Sequence, residues 1–140
     1  MNNKPTVLAV DDSPIVQQLL KNALVDCCRL LVTGDAMSAL SLLFQEPVAV
    51  LVLDVMMPDM DGLELCRTIR NLPQFKTLPI VMVTSKDAAF DKIQGRMAGA
   101  TEYLTKPFEP EQLRQIISRV AGPLAEARVQ ERGCDAVLGA

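Results

Sequence analysis

The sequence predicts an α/β domain built on a doubly wound parallel sheet, and three observations carry that expectation. The apolar pattern switches five times between short strand-like runs and helix-like spacing. Three of the five short runs are apolar without alternation, as strands covered on both faces are. A chain of 140 residues is long enough for one such domain with a real core and too short for two.

TVLAV at 6–10 reads as the first strand, and Ser13-Pro14 places a proline where the first helix begins. Ile15, Val16, Leu19, Leu20, Ala23 and Leu24 give that helix its apolar stripe. RLLVT at 29–33 is the second strand, followed by a helix striped by Ala39, Leu40, Leu42 and Leu43. VAVLVL at 48–53 is the third strand, and Leu65, Cys66 and Ile69 mark the third helix. PIVMVT at 79–84 is the fourth strand; its helix carries Phe90, Ile93 and Met97 and stops at Gly99. EYLT at 102–105 is the fifth strand, and Leu113, Ile116, Ile117 and Val120 stripe the last helix up to Gly122-Pro123. A regular (βα)5 alternation implies a parallel sheet with right-handed crossovers. The domain is expected over residues 5–121, with 122–140 a tail containing a candidate short helix, PLAEARVQERG.

Nearly half of the residues are apolar and the net charge is only −3, as expected of a soluble globular chain. The absence of any Lys/Arg block argues against direct nucleic-acid or membrane-surface binding. No apolar run has the length of a membrane span and MNNKPTV is not a signal peptide, so the expected compartment is the cytoplasm. Cys27, Cys28, Cys66 and Cys134 follow no paired-ligand spacing and read as reduced thiols. The chain contains no histidine, which removes Ser-His-Asp and Cys-His catalysis, histidine metal sites and a phosphohistidine carrier. Carboxylates, hydroxyls, lysine and backbone must do the chemistry.

In open parallel sheets, ligands bind beyond the carboxyl ends of the strands. The residues expected there are Asp11-Asp12, Asp54, Thr84-Ser85 and Lys106. Three crowded carboxylates repel, and one of them should be harder to ionise unless a cation joins them. Mg²⁺ prefers oxygen ligands and commonly shares its shell with a phosphate. Asp54 could then serve as ligand and as the nucleophile that forms an aspartyl phosphate. Phosphoryl transfer asks mainly for positioning and neutralisation of the phosphoryl oxygens, for which Lys106 and Thr84 are suited. Lys106-Pro107 suggests a fixed turn at the sheet edge.

VDDSP, VLDVMMPDMDGLEL, VTS and YLTKPF, standing on these strands in this order, are the motifs by which the chain resembles the receiver domain of two-component response regulators. The likeness runs from about Thr6 to Ala121. It implies the flavodoxin-like strand order 2-1-3-4-5, with Asp54 as phospho-acceptor and Asp11, Asp12, Asp54 and the backbone carbonyl of Met56 holding Mg²⁺. It further implies that Lys106 and Thr84 contact the phosphoryl group, that Thr84 and Tyr103 form the switch, and that the Lys106–Pro107 peptide is cis. The phosphodonor would be a histidine kinase, and the chain would catalyse its own modification rather than act as an enzyme on others. The output surface would be the fourth helix, fifth strand and fifth helix of a monomer or weak dimer, read by a protein effector. SKDAAFDKIQGRMAGATEYLTKPF is most similar to stand-alone receivers of chemotaxis-like systems controlling type IV pilus motility or phototaxis, which makes Lys92, Gln94 and Arg96 candidate contacts. The side chains of Met56 and Lys86 would flank the path of the attacking water. Pro58, Asp59 and Asp61 are expected to shape the loop after Asp54, with Gly62 supplying a permissive backbone. Three other readings stand beside this one: a phosphorylation-independent interaction module, a small Mg²⁺-dependent phosphatase, and a receiver cut from a larger protein.

Overall fold

The computed structural model describes residues 4–57, 61–85, 94 and 96–121. Its strands are β1 (Thr6–Val10), β2 (Arg29–Thr33), β3 (Val50–Asp54), β4 (Ile80–Ser85) and β5 (Glu102–Lys106). The helices are α1 (Pro14–Leu24), α2 (Ala36–Gln45), α3 (Gly62–Arg70), α4 (helical at residues 94 and 96–98) and α5 (110–121). A 3-10 turn covers Pro73–Phe75. All strands are parallel, in the order β2-β1-β3-β4-β5, as expected.

Each face of the sheet has its own core. Leu8, Val10, Leu51, Leu53, Ile80 and Met82 pack with α2, α3 and Ala98 of α4 on one face. Val7, Ala9, Val50, Val52, Val81 and Val83 pack with α1 and α5 on the other. This double burial explains why β1, β3 and β4 are apolar at successive positions, whereas the edge strands β2 and β5 are only partly buried. Helix starts are set locally: Ser13 Oγ, Asp35 Oδ1 and Asp61 Oδ1 accept from the backbone N–H of Val16, Ser38 and Leu63. Asp61 thus begins α3, whereas Pro58 and Asp59 lie outside the described residues.

Two apolar stripes are narrower than their sequences suggest. α1 buries Leu20, Ala23 and Leu24, but Ile15 and Leu19 are 75% and 56% exposed. At about 100° per residue, Leu19 sits a quarter-turn from the buried ridge and Ile15 further round. Met97 of α4 is 80% exposed while its neighbour Ala98 is buried; Phe90 and Ile93 lie outside the described residues.

Gly62 acts differently from expectation. Its φ is not positive, so no permissive backbone is needed. A β-carbon there would stand 2.4 Å from the Asp54 carbonyl oxygen and 2.7 Å from Val55 Cα. The residue is glycine because the first turn of α3 lies directly on the end of β3, an approach sealed by Gly62 N donating to Val55 O at 3.0 Å.

At the opposite edge of the sheet, Arg70 ties three segments together. Its Nε and Nη2 donate to Gly99 O at 3.0 and 2.7 Å. Nη1 reaches the carbonyls of Phe75, Lys76 and Leu78. Gly99 has φ +108° and closes α4, and its bare Cα lets the arginine stem pack against it. Burial lowers the Arg70 pKa from its ordinary value, yet a guanidinium stays charged well above neutral pH.

Gly62→Ala is expected to cost about 2–3 kcal/mol in urea unfolding, because backbone rather than a flexible side chain must yield. Gly34→Ala, where the nearest atom would be 3.5 Å away, is expected to be nearly neutral. Arg70→Met leaves four carbonyls without their donor and should cost about 3 kcal/mol in the same measurement.

Candidate functional site

Because all five strands run the same way, the residues at their carboxyl ends share one edge. Asp11 and Asp12 follow β1, Asp54 ends β3, Thr84 and Ser85 end β4, and Lys106 ends β5. Asp11 and Asp54 are 3% and 5% exposed, while Asp12 is exposed. Oxygens of the three carboxylates lie within 4.8 Å of one another. Lys106 crosses β4 to reach them, its Nζ 3.2 Å from Asp11 Oδ2 and 3.6 Å from Asp54 Oδ1. β5 is two strand spacings from β3 and three from β1, at about 4.8 Å each, so a shorter cation would not span the gap.

Backbone donors hold the acids. Ser13 N donates to Asp11 Oδ1 at 2.9 Å, and Met56 N to Asp54 Oδ1 at 3.1 Å. Asp11 N donates to Thr33 O, and Val55 N to Val83 O, which locks each strand end to its neighbour. Burial is the largest cause raising the Asp54 pKa above the usual carboxylate range, and the adjacent Asp11 charge adds to it. Lys106 and the Met56 N–H pull the other way without cancelling the effect.

Alternation separates the remaining residues. Asp11, Asp54 and Lys106 continue the positions that face α1 and α5, whereas Thr84 continues the Ile80, Met82 series on the other face. Tyr103 is half-buried against that other core, one strand over and diagonal to Thr84 through the Met82–Tyr103 and Thr84–Thr105 pairs. Thr84 itself is 1% exposed. The Lys106–Pro107 peptide is cis. The Met56 side chain is exposed beside the site. Gln94 is half-buried and Arg96 exposed, while Lys86 and Lys92 lie outside the described residues.

Reasoning from the sequence missed two contacts. Gln17 Nε2 donates to the Asp11 carbonyl at 2.6 Å, and Gly62 abuts the Asp54 carbonyl. Gln17 belongs to no motif, and Gly62 stands in one that does not show its contact; only the approach of α1 and α3 to the strand ends reveals them.

A family model for the response regulator receiver domain matches residues 7–118. Protein PilG of Pseudomonas aeruginosa is 36% identical over 108 residues, covering 76% of this chain and 80% of PilG. The alkaline phosphatase synthesis transcriptional regulatory protein PhoP of Bacillus subtilis is 36% identical over 146 residues. That match takes in 99% of this chain and 59% of PhoP, so the chain spans little more than half of this longer relative. Chemotaxis protein CheY4 of Vibrio cholerae superposes with a TM-score of 0.79 at 36% identity, covering 84% of this chain and 98% of CheY4. The receiver domain of sensor histidine kinase PA1611 from Pseudomonas aeruginosa, with a magnesium ion coordinated in its active-site cleft, superposes with a TM-score of 0.78 at 26% identity. It covers 85% of this chain and 98% of that one.

A carboxyl whose folded pKa is raised favours the fold at low pH, and that contribution is lost as pH rises through the folded value. In metal-free buffer, Asp54→Asn should therefore melt a few degrees above the parent protein at pH 7. The gain should shrink as pH falls toward the ordinary carboxylate value near 3.8, which thermal melts across that range would show.

Proposed function

The chain belongs to the response regulator receiver domain family, and on that premise we propose that Asp54 accepts a phosphoryl group from a histidine kinase's phosphohistidine. The observation that carries this is the buried Asp54 carboxylate, held between Asp11 and Lys106 at the ligand edge of the sheet. In the transfer, a bond forms between an Asp54 carboxylate oxygen and phosphorus while the phosphorus–nitrogen bond to the donor imidazole breaks. Water later attacks the phosphorus, and Asp54 returns as a free carboxylate. The chain thereby catalyses its own modification and its reversal.

The residues fit a magnesium ion. Three carboxylates offer hard oxygens within 4.8 Å of one another, and the two buried ones face a single ammonium. Asp11, Asp12, Asp54 and the Met56 backbone carbonyl would hold it. When bound, the ion supplies positive charge to the acids and to one phosphoryl oxygen. Lys106 pairs with a second oxygen, and the Thr84 hydroxyl donates to a third. The exposed Met56 side chain, with Lys86, would screen the approach of water and lengthen the phosphoryl lifetime.

Phosphorylation adds nearly two negative charges at the sheet edge. Thr84 is drawn to them, and Tyr103, on the same face, follows into the space released. That pair biases the surface of α4, β5 and α5 between two arrangements. A protein effector reads it, with Lys92, Gln94 and Arg96 as candidate contacts. The likeness of residues 85–108 to stand-alone receivers of motility systems supports an effector of the pilus or motility machinery. In this reading the 5–121 unit works in the cytoplasm as a monomer or weak dimer, without direct nucleic-acid contact. Among the described residues no helix is long and apolar enough to cross a membrane. The full set of Asp11, Asp12, Asp54, Thr84 and Lys106 speaks against a phosphorylation-independent module.

Incubation with Mg²⁺ and radiolabelled acetyl phosphate should label the parent protein, while Asp54→Asn loses at least about 100-fold of that signal. Mg²⁺-dependent labelling that survives in Asp54→Asn would sink the assignment.

A further inference from the structure

We propose that Gln17 is a positioning residue for the metal-binding acids, acting through the backbone between Asp11 and Asp12. The proposal rests on the reading of Asp11, Asp12 and Asp54 as a Mg²⁺ site. Gln17 lies in the first half of α1, and helical side chains lean toward the helix N-terminus. It therefore reaches back over the start of α1 to the end of β1. Its Nε2 donates to the Asp11 carbonyl at 2.6 Å. A carbonyl oxygen can only accept, so the nitrogen end of the amide is the end that faces it.

Asp11 itself is held from other directions. Asp11 N donates to Thr33 O at 3.0 Å, and Asp11 Oδ1 accepts from Ser13 N at 2.9 Å. Gly34 lies against it: a β-carbon there would sit 3.6 Å from Asp12 Cα, 3.7 Å from Asp11 O and 3.5 Å from Gln17 Nε2. β2, the α1 cap and Gln17 thus enclose the link between the two acids.

The consequence falls on Asp12. Because the peptide is planar, holding the Asp11 carbonyl orients the whole unit that joins the two acids and restrains it from turning about ψ of Asp11 and φ of Asp12. Asp11 and Asp54 are aimed by burial and by backbone donors, but Asp12 is exposed. Its backbone sets where its carboxylate starts from, and Gln17 holds the carbonyl just before it. Hydrogen-bond partners behind metal ligands are typically worth 10–100-fold in metal affinity.

The test is calorimetric titration of the full chain with MgCl₂, alongside metal-free thermal melts. Gln17→Met keeps the length and loses the donor; it should weaken Mg²⁺ binding about tenfold while the metal-free Tm barely moves. Gln17→Glu also loses the donor but brings a negative charge, so positioning predicts weaker binding where charge alone predicts tighter binding. Unchanged affinity in Gln17→Met, or tighter binding in Gln17→Glu, overturns the proposal. So does a fall in metal-free Tm large enough to account for the lost affinity. Failure of the underlying reading is separate: the parent protein would then bind no Mg²⁺, or Asp12→Asn and Asp54→Asn would bind it as well as the parent.

Discussion

Two buried carboxylates share one ammonium at the edge of this sheet. Lys106 lies 3.2 Å from Asp11 and 3.6 Å from Asp54, and both aspartates are almost wholly removed from solvent. Burying charge is costly unless it is paired, and among the described residues these two acids share a single ammonium. Burial, with the Asp11 charge adding to it, raises the Asp54 pKa. In the proposed function, that same burial of acids would favour a divalent cation at the edge, and its charge would let an anionic phosphoryl group enter an acidic site. Most of the neighbouring structure can be understood as holding this unbalanced arrangement in place.

The holding is done by backbone. The N–H groups of Ser13 and Met56 fix one oxygen of each buried acid, and the hydrogen bonds of Asp11 N and Val55 N extend the sheet past its last apolar residues. α3 can start where it does because Gly62 offers no β-carbon to the end of β3. Arg70, at the opposite edge, binds α3, the 3-10 turn and the end of α4 through carbonyls alone. The acidic edge is therefore carried on a body that is tied together far from it. Destabilising charge at one end is tolerated because packing and hydrogen bonding are concentrated elsewhere.

The two faces of the sheet divide the proposed labour. The acids and Lys106 continue positions on the α1 and α5 side, while Thr84 and Tyr103 belong to the side packed by α3 and α4. In the proposed function, a charge change at the edge would pass from one face to the other through Thr84. This placement follows from the two-residue period of a strand, with no special loop.

Much of the fold was legible because local rules and the global pattern agree. Non-alternating runs marked the inner strands, Ser13-Pro14 and Gly99 marked helix ends, and Asp11-Asp12, Asp54, Thr84 and Lys106 stood together at the strand ends in the order of the strands. The apolar stripes were read too wide at Ile15, Leu19 and Met97, since amphipathic spacing reports a face but not where the neighbouring element stops covering it. Gly62 was recognised as a loop glycine for the wrong reason, because close approach between segments leaves no local signature. The sequence by itself determined the kinds of groups present, their order on the strands and, through the absence of histidine, which chemistries were closed. Only the tertiary structure decided that Lys106 meets Asp11 at a sequence separation of 95, that Gln17 grips the carbonyl of Asp11, and that Asp54 is pushed toward protonation. Those outcomes depend on distance and burial, which are properties of the packed chain and not of any segment of it.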